Sequence, residues 1–134
     1  MRTRIAGASP YEPLIGFSRA LRAGNAVYVS GTGPVGMPPD QNPADAAAQA
    51  RHVLGTIEGV LVQAGLKREH VVRTRIYLTD AADWEAVGRV HGEFFGAIRP
   101  AATMVVVAGL LNPMWRVEIE ADAVILDAEL EAGS

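Results

Sequence analysis

Three carboxylates, Glu118, Glu120 and Asp122, occupy every second position in residues 116–125. That spacing is the period of a strand, so all three project from one face. Arg116 shares their face, while Val117, Ile119, Ala121, Ala123 and Ile125 share the other. Like charges lined up along a strand repel one another. They require cations, water or a task. The task open to such a carboxylate is to orient or deprotonate a water in a partly dry cleft. A surface or subunit face balanced by arginine accounts for two of the three acids. Composition does not say which is the third.

The other reactive side chains form no comparable pattern. His52, His70 and His91 show neither H-x-H nor H-E-x-x-H spacing, and a transition-metal site needs several convergent ligands. Ser30 precedes Gly31 without a G-x-S-x-G elbow, so its hydroxyl reads as a hydrogen-bonding group for backbone or ligand. Residues 31–36, Gly-Thr-Gly-Pro-Val-Gly, match the dinucleotide fingerprint formally. That motif must open a helix, which Pro34, Pro38 and Pro39 forbid. There is no cysteine, hence no disulfide frame, thiolate metal site or cysteine nucleophile.

A formal charge of -3 argues against nucleic acid as the main partner, since phosphate binding needs a basic face. All but one of the 12 basic residues are arginine, the side chain that grips carboxylates with a planar fork. No signal pattern and no membrane-length apolar run is present, which with the lack of cysteine suits a cytoplasmic protein. The 134 residues fit one domain, 1–134, with a real core.

The elements that must position these residues follow in order. Residues 1–14 read as a short edge strand or arm and a loop. A strand over 16–22, with Phe17, Arg19 and Leu21 on one side, turns at Gly24-Asn25 into a second strand over 26–30. Asn42 as N-cap and Pro43 at the first position start a helix that stops at Gly65. Ala50, Val53, Leu54, Ile57, Val60, Leu61 and Ala64 form its buried stripe. Gly55 and Gly59 suggest close packing of that helix on a sheet. A strand over 71–78 shows Val72, Thr74, Ile76 and Leu78 on one side and Val71, Arg73, Arg75 and Tyr77 on the other. Beside the carboxylate strand, Arg73 and Arg75 would meet Glu118, Glu120 and Asp122. Thr79-Asp80 caps a second helix with Trp84, Val87, Val90, His91, Phe94 and Phe95 as its apolar stripe, ended by Gly96 and Pro100. The last third reads as two strands joined by a turn. The first, 103–108, is apolar enough to be covered on both faces. The expected core joins Leu54, Ile57, Leu61, Ile76, Trp84, Val87 and Ile119. Residues 126–134 form a short acidic tail. Two helices on one face of a mixed sheet make an α+β two-layer domain.

Three stretches carry a resemblance to a known family: residues 24–31 (Gly-Asn-Ala-Val-Tyr-Val-Ser-Gly), 47–51 (Ala-Ala-Gln-Ala-Arg) and 116–121 (Arg-Val-Glu-Ile-Glu-Ala). Together they resemble the RidA/YjgF family over nearly the whole chain. The resemblance implies a chorismate-mutase-like α+β fold, a homotrimer with its sheets lining a central barrel, and three clefts between subunits. It implies hydrolysis of reactive enamines and imines to ketoacids and ammonia, with no metal or organic cofactor. It also brings an older description of some members as endoribonucleases or translation inhibitors.

Residue by residue, the resemblance makes Glu118 the cleft glutamate that positions the attacking water. Ser30 and Gly31 match the family's strand-end Ser-Gly. Phe17 stands where many members have tyrosine, and Gly88 where some have asparagine. The arginine that clamps the substrate carboxylate falls at Ala102, and alanine forms no bidentate salt bridge. Arg75 and Arg99 are the nearby candidates to replace it. Thr103 and Met104 complete the expected lining. The reading that results is a small hydrolase or deaminase with weak or altered 2-imino acid activity. A non-catalytic ligand-binding trimer is the rival, and an endoribonuclease ranks last.

Overall fold

The computed structural model describes residues 1–38 and 44–126. Six strands form one mixed sheet: β1 (Arg2–Ile5), β2 (Ala20–Ala23), β3 (Ala26–Thr32), β4 (Val71–Leu78), β5 (Ala101–Val106) and β6 (Val117–Val124). Their order across the sheet is β1-β2-β3-β6-β4-β5. Every neighbouring pair is antiparallel except β4 with β5. Two helices, α1 (Ala46–Gln63) and α2 (Trp84–Phe95), supply the second layer. The expected α+β two-layer arrangement is borne out.

The central strand is β6. Its apolar set, Val117, Ile119, Ala121 and Ala123, is buried, while Glu118, Glu120 and Asp122 are only half-buried. Alternation has put one face against the helices and left the other open. On α1 the whole expected stripe from Ala50 to Ala64 is buried. Gly65, at φ +87°, ends the helix in the left-handed region that a side chain disfavours. Gly24, at φ +60°, turns the β2–β3 hairpin. Gln49 is a buried polar member of the α1 face. Its amide donates to the Met114 carbonyl at 3.0 Å and accepts from the Arg116 N–H at 2.7 Å, tying α1 to the segment before β6.

Several expectations need correction. The two last strands are not a hairpin: β4 lies between them, and β5 pairs with β4 in parallel. Nor is β5 covered on both faces in the single chain. It is an edge strand, with Val105 and Val106 exposed. Val71 is buried and Val72 exposed, the reverse of strict alternation, because the β4–β6 register shifts between Val71 and Arg73. Residues 12–16 form a π-type helical turn, so the strand expected from Gly16 begins only at Ala20. Trp84 lies outside the core at 61% exposure, since Asp80 caps a preceding 3-10 turn, Ala81–Asp83, and α2 starts late. The N-cap of α1 is Asp45, whose Oδ1 accepts from Ala47 N at 2.9 Å; Asn42 and Pro43 lie outside the described residues, as do 127–134 of the tail. Gly55 and Gly59 are exposed, and a Cβ on either would meet nothing within 4 Å, so they serve no close packing on the sheet. Arg116 leaves the carboxylate face and forks onto Asp83 at 2.9 and 3.1 Å.

Candidate functional site

The open face of the sheet carries the charges. Antiparallel pairing of β4 with β6 sets Arg73 opposite Asp122, Arg75 opposite Glu120 and Tyr77 opposite Glu118. Arg75 Nη1 reaches Asp122 at 3.3 Å and Glu120 at 3.5 Å. The Tyr77 hydroxyl donates to Glu120 Oε1 at 2.7 Å, and this bond raises the pKa of the phenol. Two of the three acids are therefore partnered, as opposite charges across a sheet should be. A groove of about 970 Å³ runs along this face past Phe17, Ser30, Glu120 and Asp122. Glu118 is not part of its lining.

Glu118 differs from its two neighbours. It lies at the Val117 end of β6, where β3 finishes with Ser30, Gly31 and Thr32. Among the described residues nothing donates a hydrogen bond to its carboxylate. A Cβ on Gly31 would come within 3.1 Å of both Glu118 Cδ and Oε2, so glycine lets the strand approach the carboxylate without displacing it. Burial raises the Glu118 pKa; the Arg19 charge lowers it and the Glu120 charge raises it again. A desolvated carboxylate without donors is a better proton acceptor than an exposed one.

The strand end around it is built from three segments. Ser30 donates its hydroxyl to the Ser18 carbonyl at 2.7 Å. Arg19 donates from Nη2 to the Gly31 carbonyl and sits 5.7 Å from the Phe17 ring centroid, within cation–π range. The buried Glu12 accepts from Gly7 N at 2.9 Å and Ser9 N at 3.2 Å, lacing the 7–12 loop over Arg19. Gly31 and Glu118 are thus brought together, with Ser30 beside Gly31 in the strand and Phe17 joined to the strand end through Arg19. Arg19 was missed in the sequence; an arginine two residues after an aromatic carries no motif, and its role depends on loop closure.

Gly88, Ala102 and Met104 are elsewhere. On β5, Ala102 pairs with Thr74 and Met104 with Ile76, both buried on the helix side. In-register parallel residues share a face, so Ala102 and Met104 look toward α2. A Cβ on Gly88 would lie 3.9 Å from Met104 Cε. Thr74 Oγ1 is 2.8 Å from His91 Nε2, and burial lowers the His91 pKa. Thr103, opposite Arg75, belongs to the other face. Glu118 stands two strands from β5, on the order of 10 Å away at ordinary strand spacing, and on the opposite side of the sheet. One chain cannot join Glu118 to Ala102. Of the two expected replacements for the clamp, Arg75 is engaged by Glu120 and Asp122, while Arg99 is exposed with Nε on the Gly96 carbonyl at 3.3 Å.

Sheet and helices define a small α+β protein of YjgF-like architecture. The family model described as Endoribonuclease L-PSP matches residues 7–125, and the chain belongs to that family. The resemblance to RidA/YjgF proteins is borne out. Rv2704 of Mycobacterium tuberculosis, a member of the YjgF/YER057c/UK114 family, is 46% identical with a TM-score of 0.84, covering 93% of this chain and 100% of that one. The 3-aminoacrylate deaminase RutC of Acinetobacter baylyi is 42% identical over 112 residues, 80% of this chain and 85% of the relative. E. coli TdcF, solved with bound serine, is 28% identical with a TM-score of 0.76, covering 92% of this chain and 94% of that one. No helix among the described residues is long and apolar enough to cross a membrane.

Proposed function

We propose that the chain is a cytoplasmic, cofactor-free hydrolase of small imines, enamines or related carbonyl derivatives, with Glu118 as the residue that handles water. Glu118 takes a proton from the water as its oxygen adds to the C=N carbon. Glu118 returns that proton to the nitrogen; the C–N bond of the carbinolamine then breaks, its hydroxyl proton leaves with the nitrogen as ammonia, and a carbonyl remains. One observation carries this reading: a half-buried carboxylate, pushed up by desolvation and free of hydrogen-bond donors, set against a glycine at a strand end. The RutC relative, named as a deaminase at 42% identity, supports the reaction class.

The site is completed between copies of the chain in a closed homotrimer. The support is geometric: Glu118 and Ala102 face opposite ways, so a cleft holding both must take Ala102 from a second copy, along the exposed edge of β5. With alanine at that place the cleft lacks a carboxylate clamp, and substrates without a carboxylate are favoured. A second reading, a small-ligand-binding trimer without catalysis, draws on the serine bound to TdcF. Ammonia release from freshly generated imines that lack a carboxylate, run beside 2-imino acids made in place by an amino-acid oxidase, separates the two. The catalytic reading requires turnover in the wild type that is lost in Glu118→Gln. Equal turnover in both proteins would leave the binding reading standing. A stable monomer in sedimentation at micromolar concentration would remove the intersubunit cleft.

A further inference from the structure

We propose that Arg19 is the positioning residue of the cleft, clamping the Gly31 strand end against Glu118 and standing as that carboxylate's counter-charge. This rests on the reading of Glu118 as the water-handling base. Arg19 Nη2 donates to the Gly31 carbonyl, and Gly31 is the residue whose Cα side abuts the Glu118 carboxylate. The Arg19 side-chain stem packs against the Glu12 loop. A Cβ on Gly7 would come within 3.0 Å of Arg19 Cβ and Cδ, so loop and side chain are packed as one unit.

The groups facing Glu118 leave Arg19 alone in this role. From β4, Tyr77 stands opposite but gives its hydroxyl to Glu120, and Arg75 is engaged with Glu120 and Asp122. From its own strand Glu118 meets only another acid, Glu120. From β3 it meets Ser30 and Gly31, which are neutral. Arg19, between Glu12 and Glu118, is the cation whose charge reaches the carboxylate. Nη2 is committed to the Gly31 carbonyl, and Nε is enclosed without a hydrogen-bond partner. On that geometry Arg19 serves the base.

The test reads Glu118 directly. Its side-chain carboxyl carbon is titrated by NMR in the wild type, Arg19→Gln and Arg19→Lys, with the signal assigned by its loss in Glu118→Gln. The midpoint is expected to rise in Arg19→Gln, because a nearby cation favours the ionised form. It should return toward wild type in Arg19→Lys, which keeps the charge. Activity should follow: Arg19→Gln loses several-fold more kcat/KM near about pH 5 than near about pH 8, since a base with a higher midpoint is protonated sooner. Coincident midpoints in all three proteins would overturn the inference. Should Arg19→Gln not fold, Arg19→Lys decides alone: lacking the planar fork, it should shift the Gly31 amide resonance and lower kcat. An unchanged resonance with unchanged kcat would overturn the clamp. The titration needs no turnover, so it stands or falls separately from the catalytic reading.

Discussion

The two ends of the acid face on β6 share a strand, a pleat and a residue type, yet they are different environments. At one end Glu120 and Asp122 meet Arg75, and Glu120 also takes the Tyr77 hydroxyl. At the other, Glu118 has a glycine backbone against it, no donor among the described residues, and the Arg19 cation bound to that glycine's carbonyl. The pleat alone makes three equivalent acids. What separates them is the neighbouring strand: β4 supplies partners to two, while β3 supplies a glycine to the third. The environment of each carboxylate is set here by which partners the adjoining strands supply or withhold.

Glu118→Gln should have the largest effect, a loss of roughly a hundredfold to ten-thousandfold in imine hydrolysis, the usual contribution of a positioned base. Steady-state ammonia release checks it. Next is Ile119→Ala. Ile119 lies between the two glutamates on the buried face, fully enclosed, so its truncation should cost ~2–5 kcal/mol in denaturant unfolding. A loss near 0.5 kcal/mol or less would place that face at the surface. Ala102→Arg follows. Charge-assisted hydrogen bonds contribute about 1.5–3 kcal/mol each, so turnover of carboxylate-bearing imines should rise about tenfold to a hundredfold at 1.36 kcal/mol per tenfold.

The pH dependence of stability is a finer probe of the same contrast. Burial holds Glu118 above the ordinary carboxylate range, against the pull of Arg19 and with the push of Glu120. As pH rises past about 4.3 the unfolded chain loses this proton first. The folded state then binds more protons, so stability falls with rising pH until the folded carboxyl also ionises. Glu118→Gln removes that fall. Its melting temperature minus that of the wild type should therefore grow from about pH 4 to about pH 7, and a constant difference would place Glu118 in water. Glu120→Gln should have the smallest effect. Its partner Arg75 is 40% exposed, and such pairs contribute about 0.2–1 kcal/mol; hydrolysis should stay within a few-fold of wild type.

Much of this was legible in the sequence because the relevant forces are local. Alternation from Val117 to Ala123 marked the central strand, apolar spacing marked the α1 stripe, and Gly65 marked its end. The charge pattern on 71–78 even anticipated Arg75 beside Glu120 and Asp122. Where reading failed, the cause was non-local. The apolar run in β5 looked like a strand covered on both faces, but an apolar edge gives the same signal. Val71 and Val72 exchanged faces through a bulge that no composition marks. Within the site, Glu118 emerged only through the family resemblance, since the three acids look alike in sequence. Arg19 had no signal at all, because its partners Glu12 and Gly31 are joined to it by folding.

The last of the described strands in chain order is one of the two central strands of the sheet. β6 pairs with β3 and β4 on its two sides, and those contacts span up to residues 26 and 124. While the chain is being synthesised, β3 and β4 wait with open edges until Val117–Val124 leaves the ribosome. Folding thus closes late and through distant contacts, the slow regime for a domain of this size. The strand that completes the core also delivers Glu118, so a nascent chain has no assembled strand end around that carboxylate before it has a finished interior.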